Sequence, residues 1–276
     1  MYTLLICSTF YDGRPHATPF IGLWCLITNA NMNRSSYRII GSVIIEPILL
    51  GAGGMKFIDP LWQRALMDVA RSQPTPVPII FDEVAAGLYR LGVSSCREIL
   101  GSNPDIAAYA KLLTGGLVPM SVTLASEKVF ETFLGDTKGE ALLHGHSYTA
   151  HPVGCVSSIH ALDTYKELFE GEDNTTDYKK AYFDQDVVAE FSKLPFVKES
   201  MSLGTVVAVT FESIEGGGSG YSAAGRSQPI VKNLLANGVY ARPLGNVVYI
   251  MVSPLTSHDE CTRLCKILRD AILTLQ

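Results

Sequence analysis

Four stretches of this sequence carry side chains that could do chemistry together. Asp82 directly follows the apolar, β-rich run of residues 77–81. In open α/β sheets, ligands bind beyond the carboxyl ends of the strands. A carboxylate there is costly unless it meets a cation or a protonated ring nitrogen. Capping a helix is the plain structural role beside that one. Lys111 interrupts the apolar segment 106–113 and precedes Thr114-Gly115-Gly116. A desolvated lysine has a lowered pKa and makes a competent Schiff-base nucleophile. A lysine whose stem lies along an apolar face, with its head in water, fits the same pattern.

The third stretch, HGHSYTAHPVGC, spans residues 144–155 and holds His144, His146 and His151. Its spacing is not that of a zinc helix and it contains no acidic residue, so it does not read as a metal site. Gly145, Ser147 and Thr149, ahead of a long helical stretch, suit an anion: backbone N–H groups and hydroxyls at a helix start bind phosphate. Ordinary capping would use the same residues. The fourth is Arg242 in ARPLGNVVY, beside a rigid Pro-Leu-Gly turn. It could grip a carboxylate with two parallel hydrogen bonds, or form a surface ion pair. Taken together, a strand-end carboxylate, a lysine, a phosphate-friendly turn and an arginine fit one cofactor. Pyridoxal phosphate (PLP) needs a lysine, an acidic partner for its ring nitrogen and a phosphate pocket.

Those residues require an α/β scaffold. Residues 39–46 form an apolar, β-branched run that reads as a strand buried on both faces. Asp59 and Pro60 then announce a helix over 59–71, with Leu61, Ala65, Leu66 and Val69 at helical spacing. The strand at 77–81 follows, giving a right-handed βαβ unit. Further strands are predicted at 121–125, 205–211, 239–242 and 247–252. Helices are predicted at 126–133, capped by Ser126, at 150–169, one ending near Gly238, and at 259–275, capped by Ser257. Residues 1–38 read as irregular, 39–165 as part of a large domain, and 166–276 as a smaller one. The loop 216–220 (GGGSG) lacks the Gly-Lys-Ser/Thr ending of a P-loop and reads as a connector.

Composition sets the bounds. The chain has 276 residues, 22 Lys+Arg against 27 Asp+Glu, a net charge of -5 and 47% hydrophobic residues. Such a chain is neither disordered nor a dedicated nucleic-acid binder. The charged fraction, 18%, is low for a soluble domain and points to a surface covered by a partner. Its six cysteines form no C-x-x-C pair and read as reduced, buried thiols. The opening residues have no basic n-region and do not resemble a secretory signal or transit peptide.

Five blocks carry a resemblance: IIEPILLGAGGM, FDEVAAGLYRLG, PDIAAYAKLLTGGLVP, LLHGHSYTAHPVGC and ARPLGNVVYIM. They resemble the class III PLP-dependent aminotransferases of fold type I, and within them the enzymes of biotin synthesis. The resemblance runs from Ile39 to the C-terminus. It implies part of a large mixed, mainly parallel-sheet domain plus a smaller α+β C-terminal domain. It implies that Lys111 carries PLP and that Asp82 pairs with the ring nitrogen, with Val84 against the ring. It implies that Gly145 and Ser147 bind the phosphate of a neighbouring subunit, in a homodimer. Arg90 would lie near the substrate, and Arg242 would bind its carboxylate. The substrates implied are 8-amino-7-oxononanoate and, as amino donor, S-adenosylmethionine; the location implied is mitochondrial. An ω-amino-acid transaminase of the same class and a non-catalytic remnant are the other readings. Family members carry a substantial portion ahead of the IIEP block, holding a phosphate-binding helix start and an aromatic that stacks on the ring. Against that pattern the chain reads as N-terminally truncated.

Overall fold

In the computed structural model the described residues are 2–6, 39–170, 182–212 and 225–275. The chain divides into two compact units, one of residues 1–48, 58–85 and 95–159, the other of 49–57, 86–94 and 160–276. The loop 216–220 and the acidic stretch 171–180 lie outside the described residues.

The first unit begins with β1 (Tyr2–Ile6), which pairs parallel with β2 (Ile39–Ile45). The irregular reading of residues 1–38 is thereby corrected for the first few residues. The short strands β3 (Leu49–Leu50) and β4 (Lys56–Phe57) pair antiparallel in the second unit. Helix α1 (Pro60–Arg71) returns to the first unit, with the Asp59 side chain accepting a hydrogen bond from Leu61 N at 2.7 Å. Its buried positions are Gln63, Leu66, Met67 and Ala70, while Leu61 is exposed. The face is therefore rotated from the one that apolar spacing suggested. Gln63 explains the rotation: its Oε1 accepts from Ile48 N at 2.7 Å and its Nε2 donates to Glu46 O at 2.9 Å. A buried amide is tolerated because both ends are bonded.

Next come β5 (Ile79–Asp82), the single turn α2 (Arg97–Leu100), β6 (Ile106–Tyr109) and β7 (Val122–Ala125). The sheet order is β1-β2-β5-β6-β7, parallel except for antiparallel β7. Val43, Ile45, Ile79 and Phe81 share one face of the sheet and are buried, whereas Ile44 and Ile80 on the other face are only half-buried, which corrects the reading of strands buried on both faces. Helix α3 (Glu127–Glu131) is shorter than predicted, and Ser126 at its N-cap makes no side-chain capping bond. Helix α4 (Pro152–Glu170) carries the chain into the second unit.

That second unit contains α5 (Gln185–Phe191), β8 (Val197–Leu203), β9 (Val206–Phe211), α6 (Ser227–Ala236), β10 (Arg242–Leu244), β11 (Val247–Met251) and α7 (His258–Leu273). Its antiparallel sheet runs β10-β11-β9-β8. One core joins Phe183, Phe191, Val209, Phe211, Ile230, Leu234, Leu268 and Ile272 from sheet and helices. Cys261 and Cys265 belong to it as free thiols on α7, and burial pushes their pKa values up to about 11 and about 12. Among the described residues, no helix is long and apolar enough to cross a membrane.

Candidate active site

Parallel pairing puts the ends of β5 and β6 side by side, with Asp82 opposite Ala108. Lys111 follows β6 by two residues, so the carboxylate and the amine leave neighbouring strands at the same edge of the sheet. This is the edge at which open α/β sheets bind ligands. Asp82 is half-buried, and its Oδ1 accepts from Val84 N at 3.1 Å. The plain capping role and a ligand role are compatible, because a carboxylate has two oxygens to offer. Val84, also half-buried, sits in the turn that this bond closes.

Lys111 opens a 3₁₀ turn (Lys111–Thr114) directly after Ala110, whose backbone is extended. Its φ is 51°, in the left-handed region that a residue with a Cβ enters at a cost of about 1–2 kcal/mol. Backbone strain of this kind collects at functional sites. The turn is held from behind: Thr114 Oγ1 donates to Val118 O at 2.7 Å, and Ser157 Oγ donates to Thr114 O at 3.1 Å. Of the two readings of Lys111, the one with its head in water holds here, since Lys111 is exposed and only Leu113 and Thr114 of its turn are buried.

Gly145 and Ser147 are exposed and lie in the loop ahead of α4, several residues before its first turn. They lie ahead of the long helix, as predicted, in the loop rather than within its first turn. The loop has its own order: Thr149 Oγ1 accepts from His146 N at 2.9 Å, and His146 Nδ1 accepts from Tyr148 N at 3.1 Å. A Cβ at Gly145 would meet Thr149 Oγ1 at 3.7 Å, so the backbone there lies open beside a hydroxyl. His151 is used locally, its Nδ1 accepting from Gly154 N at 3.1 Å.

The two arginines belong to the second unit and differ sharply. Arg242 is exposed at the start of β10, opposite Tyr249, and makes no ion pair among the described residues. Arg90 is 7% exposed. Its Nη1 donates to Thr205 Oγ1 at 3.1 Å and Val252 O at 2.9 Å, while Thr205 N and Oγ1 both donate to Arg90 O. Burial holds its pKa down to about 10, partly offset by Tyr165 and Tyr182. Arg90 is thus a clamp fastening residues 86–94 to the C-terminal sheet. Gly204 (φ 54°) permits the close approach, since a Cβ there would collide with the backbone of Arg90 and Leu91.

The sequence reading missed Glu83, Ser95 and Tyr109. Glu83 is fully buried, and its carboxylate accepts from Ser95 Oγ, Cys96 N and Tyr109 OH. The available signal was a second carboxylate directly after a buried strand.

A two-unit α/β chain with a strand-end carboxylate and a lysine on a neighbouring strand end defines a class. The chain belongs to the class-III aminotransferase family, whose model matches residues 25–272, a match that starts upstream of Ile39. A relative from rice, Oryza sativa subsp. japonica, named bifunctional dethiobiotin synthetase/7,8-diamino-pelargonic acid aminotransferase, mitochondrial, is 47% identical over 226 residues. That match takes in 81% of this chain and 27% of the relative, so the chain spans about a quarter of that protein. The crystal structure of adenosylmethionine-8-amino-7-oxononanoate aminotransferase from Methanocaldococcus jannaschii superposes with a TM-score of 0.77 at 24% identity, over 92% of this chain and 57% of that one. An amine transaminase from an uncultivated Pseudomonas species, solved in a PLP-bound form, gives a TM-score of 0.75 at 23% identity, over 93% of this chain and 55% of that one. These two likenesses show the fold.

Proposed function

We propose that this chain forms part of a PLP-dependent transaminase that converts 8-amino-7-oxononanoate to 7,8-diaminononanoate in biotin synthesis, with S-adenosylmethionine as amino donor. The observation that carries the reading is the adjacency of Asp82 and Lys111 at neighbouring parallel strand ends, with Lys111 on a strained backbone. The rice relative supports the substrate assignment by its name and its identity to this chain. The residues present fit the cofactor: an exposed amine, a half-buried carboxylate and an open Gly-Ser loop.

When bound, PLP supplies the electron sink that stabilises a carbanion at the substrate's reacting carbon. The protein supplies the rest. Asp82 accepts the ring N–H and keeps that nitrogen protonated, with Val84 packing beside it. Lys111 Nζ would take the proton from the donor's Cα and hold it for return, as general acid/base. Gly145 N–H and the Ser147 hydroxyl donate to the phosphate of the neighbouring subunit in a homodimer. Arg242 offers paired N–H groups to the keto acid's carboxylate. Arg90 we assign to the clamp. A second copy would also cover the exposed apolar residues of α4 and the loop ahead of it. By likeness to its rice relative, the location is mitochondrial.

The test uses purified chain with PLP, 8-amino-7-oxononanoate and S-adenosylmethionine. A visible absorbance band that Lys111→Ala abolishes, and formation of the diamine by mass spectrometry, are expected. A band unchanged in Lys111→Ala would overturn the assignment of the lysine. Amination of other keto acids in preference would overturn the substrate.

A further inference from the structure

Glu83 is a buried carboxylate to which the chemistry above gives no role. It is 1% exposed. Its two oxygens take Ser95 Oγ at 2.6 Å, Tyr109 OH at 2.9 Å and Cys96 N at 2.8 Å. A buried charge is tolerated only when it is hydrogen-bonded in this way. Its own N–H donates to Ala108 O at 3.0 Å. The donors keep their protons at neutral pH: burial, reinforced by the charge of Glu83, pushes the Tyr109 hydroxyl up to about 12 and the Cys96 thiol up as well.

The position of the cluster gives it meaning. Glu83 is the next residue after Asp82, and Tyr109 lies two residues before Lys111. One carboxylate therefore ties the end of β5 to the end of β6 where the two candidate site residues leave the sheet. Asp105 Oδ2 makes a comparable stitch near the other ends of these strands, accepting from Ile79 N at 2.8 Å. That pair lies toward the other end of the strands from Lys111, whereas the Glu83 stitch lies at the site edge.

We propose that Glu83 is a positioning residue, fixing the strand ends of Asp82 and Lys111 so that carboxylate and amine address one bound PLP. The inference rests on the assignment of Asp82 and Lys111 made above. Glutamine at 83 keeps the volume but offers one acceptor oxygen and an NH₂ group to three donors. Tyr109→Phe keeps the ring and removes one donor.

The experiment compares Glu83→Gln, Tyr109→Phe and the double variant in the full chain. The readouts are PLP affinity, visible circular dichroism of bound PLP, and amide hydrogen exchange without PLP. Expected are PLP binding about ten-fold weaker in Glu83→Gln and a reduced visible dichroism, since the substitution leaves a buried donor of the cluster without its acceptor. Tyr109→Phe should weaken binding about five-fold and add nothing in the Glu83→Gln background. Exchange should rise together at residues 82–84 and 108–112. Wild-type affinity and dichroism in Glu83→Gln, or additive losses in the double variant, would overturn the proposal. If Glu83→Gln does not fold, Tyr109→Phe decides: unchanged affinity and dichroism overturn it. The Lys111 assignment fails separately, when wild type and Lys111→Ala hold PLP alike. In that case exchange still judges Glu83, and no rise at 108–112 in its variants overturns the positioning role.

Discussion

In the C-terminal unit, Phe183, Phe191 and Phe211 are buried with Ile230, Leu234, Leu268 and Ile272 in one core. In the other unit, residues 117–159 leave Leu117, Phe130, Leu143 and Tyr148 exposed. On α4, Val153, Val156 and Ile159 are exposed at 61%, 67% and 61%, although they recur at helical spacing like any core-facing set. The difference teaches that apolar periodicity shows which face must be covered, and not what covers it. The C-terminal unit covers most of its own, with Tyr240 and Leu255 among the exceptions. Residues 117–159 present a surface of the kind that marks an interaction site. A charged fraction of 18% accords with apolar side chains standing on this surface.

The largest expected effect separates the two regions directly. Phe211 is fully buried, and truncation to Ala should cost about 3–5 kcal/mol. Val156→Ala, by contrast, should change the chain's own stability by less than about 0.5 kcal/mol. Denaturant titration of both variants measures the pair. A large loss in Val156→Ala would show that the chain itself covers that face.

Association is the next effect. Val156→Lys places a charge on the exposed face of α4. Sizing chromatography and light scattering should show wild type self-associating and the variant shifted toward monomer, with a melt that no longer depends on protein concentration. A wild-type chain that runs as a monomer at all concentrations would break the comparison.

Much of the scaffold was legible because its signals are local. Asp59 and Pro60 announced α1, Ser257 announced α7, and the β-branched runs announced β2 and β5. The site pair was legible because Asp82 and Lys111 each break an apolar stretch. What stayed hidden depends on residues distant in sequence. Gln63 is buried because Ile48 and Glu46 bond it, and helical spacing cannot foresee that. Strand β8 (VKESMSL) is polar and half-exposed, an edge strand held by its pairing with β9. Helix α5 is short, and its one signal was Asp184, whose side chain accepts from Asp186 N and Val187 N. The Glu83 cluster joins residues 12, 13 and 26 positions away. The left-handed backbone of Lys111 belongs to a turn that composition does not reveal.

A smaller effect is expected at high pH, and it compares one phenol from each unit. Tyr182 OH donates to Pro254 O at 2.7 Å, and burial pushes its pKa up to about 12, as it does that of Tyr109. Unfolded tyrosine ionises near pH ~10. Between about pH 10 and 12 the unfolded chain has released protons that the folded chain keeps, so stability falls as pH rises through that window. Below it the contribution is fully present. Tyr182→Phe and Tyr109→Phe should each flatten the fall in unfolding free energy measured from pH 9 to 11. A slope unchanged in either variant would show that its phenol titrates alike in both states.

The smallest effect isolates what makes a patch. Leu61 is 78% exposed on α1, more than any of the three apolar residues of the α4 face. It stands on a helix whose apolar side chains Leu66, Met67 and Ala70 are buried. Single exposed apolar side chains are ordinary on protein surfaces, and contiguous ones are not. Leu61→Lys should therefore change stability by less than about 0.5 kcal/mol and leave the elution volume at its wild-type value. Run beside Val156→Lys, it is the same chemical change at a comparably exposed site. If Leu61→Lys shifts association as much as Val156→Lys does, the effect belongs to added charge in general. If only Val156→Lys shifts it, the face of α4 is the surface that a second copy covers.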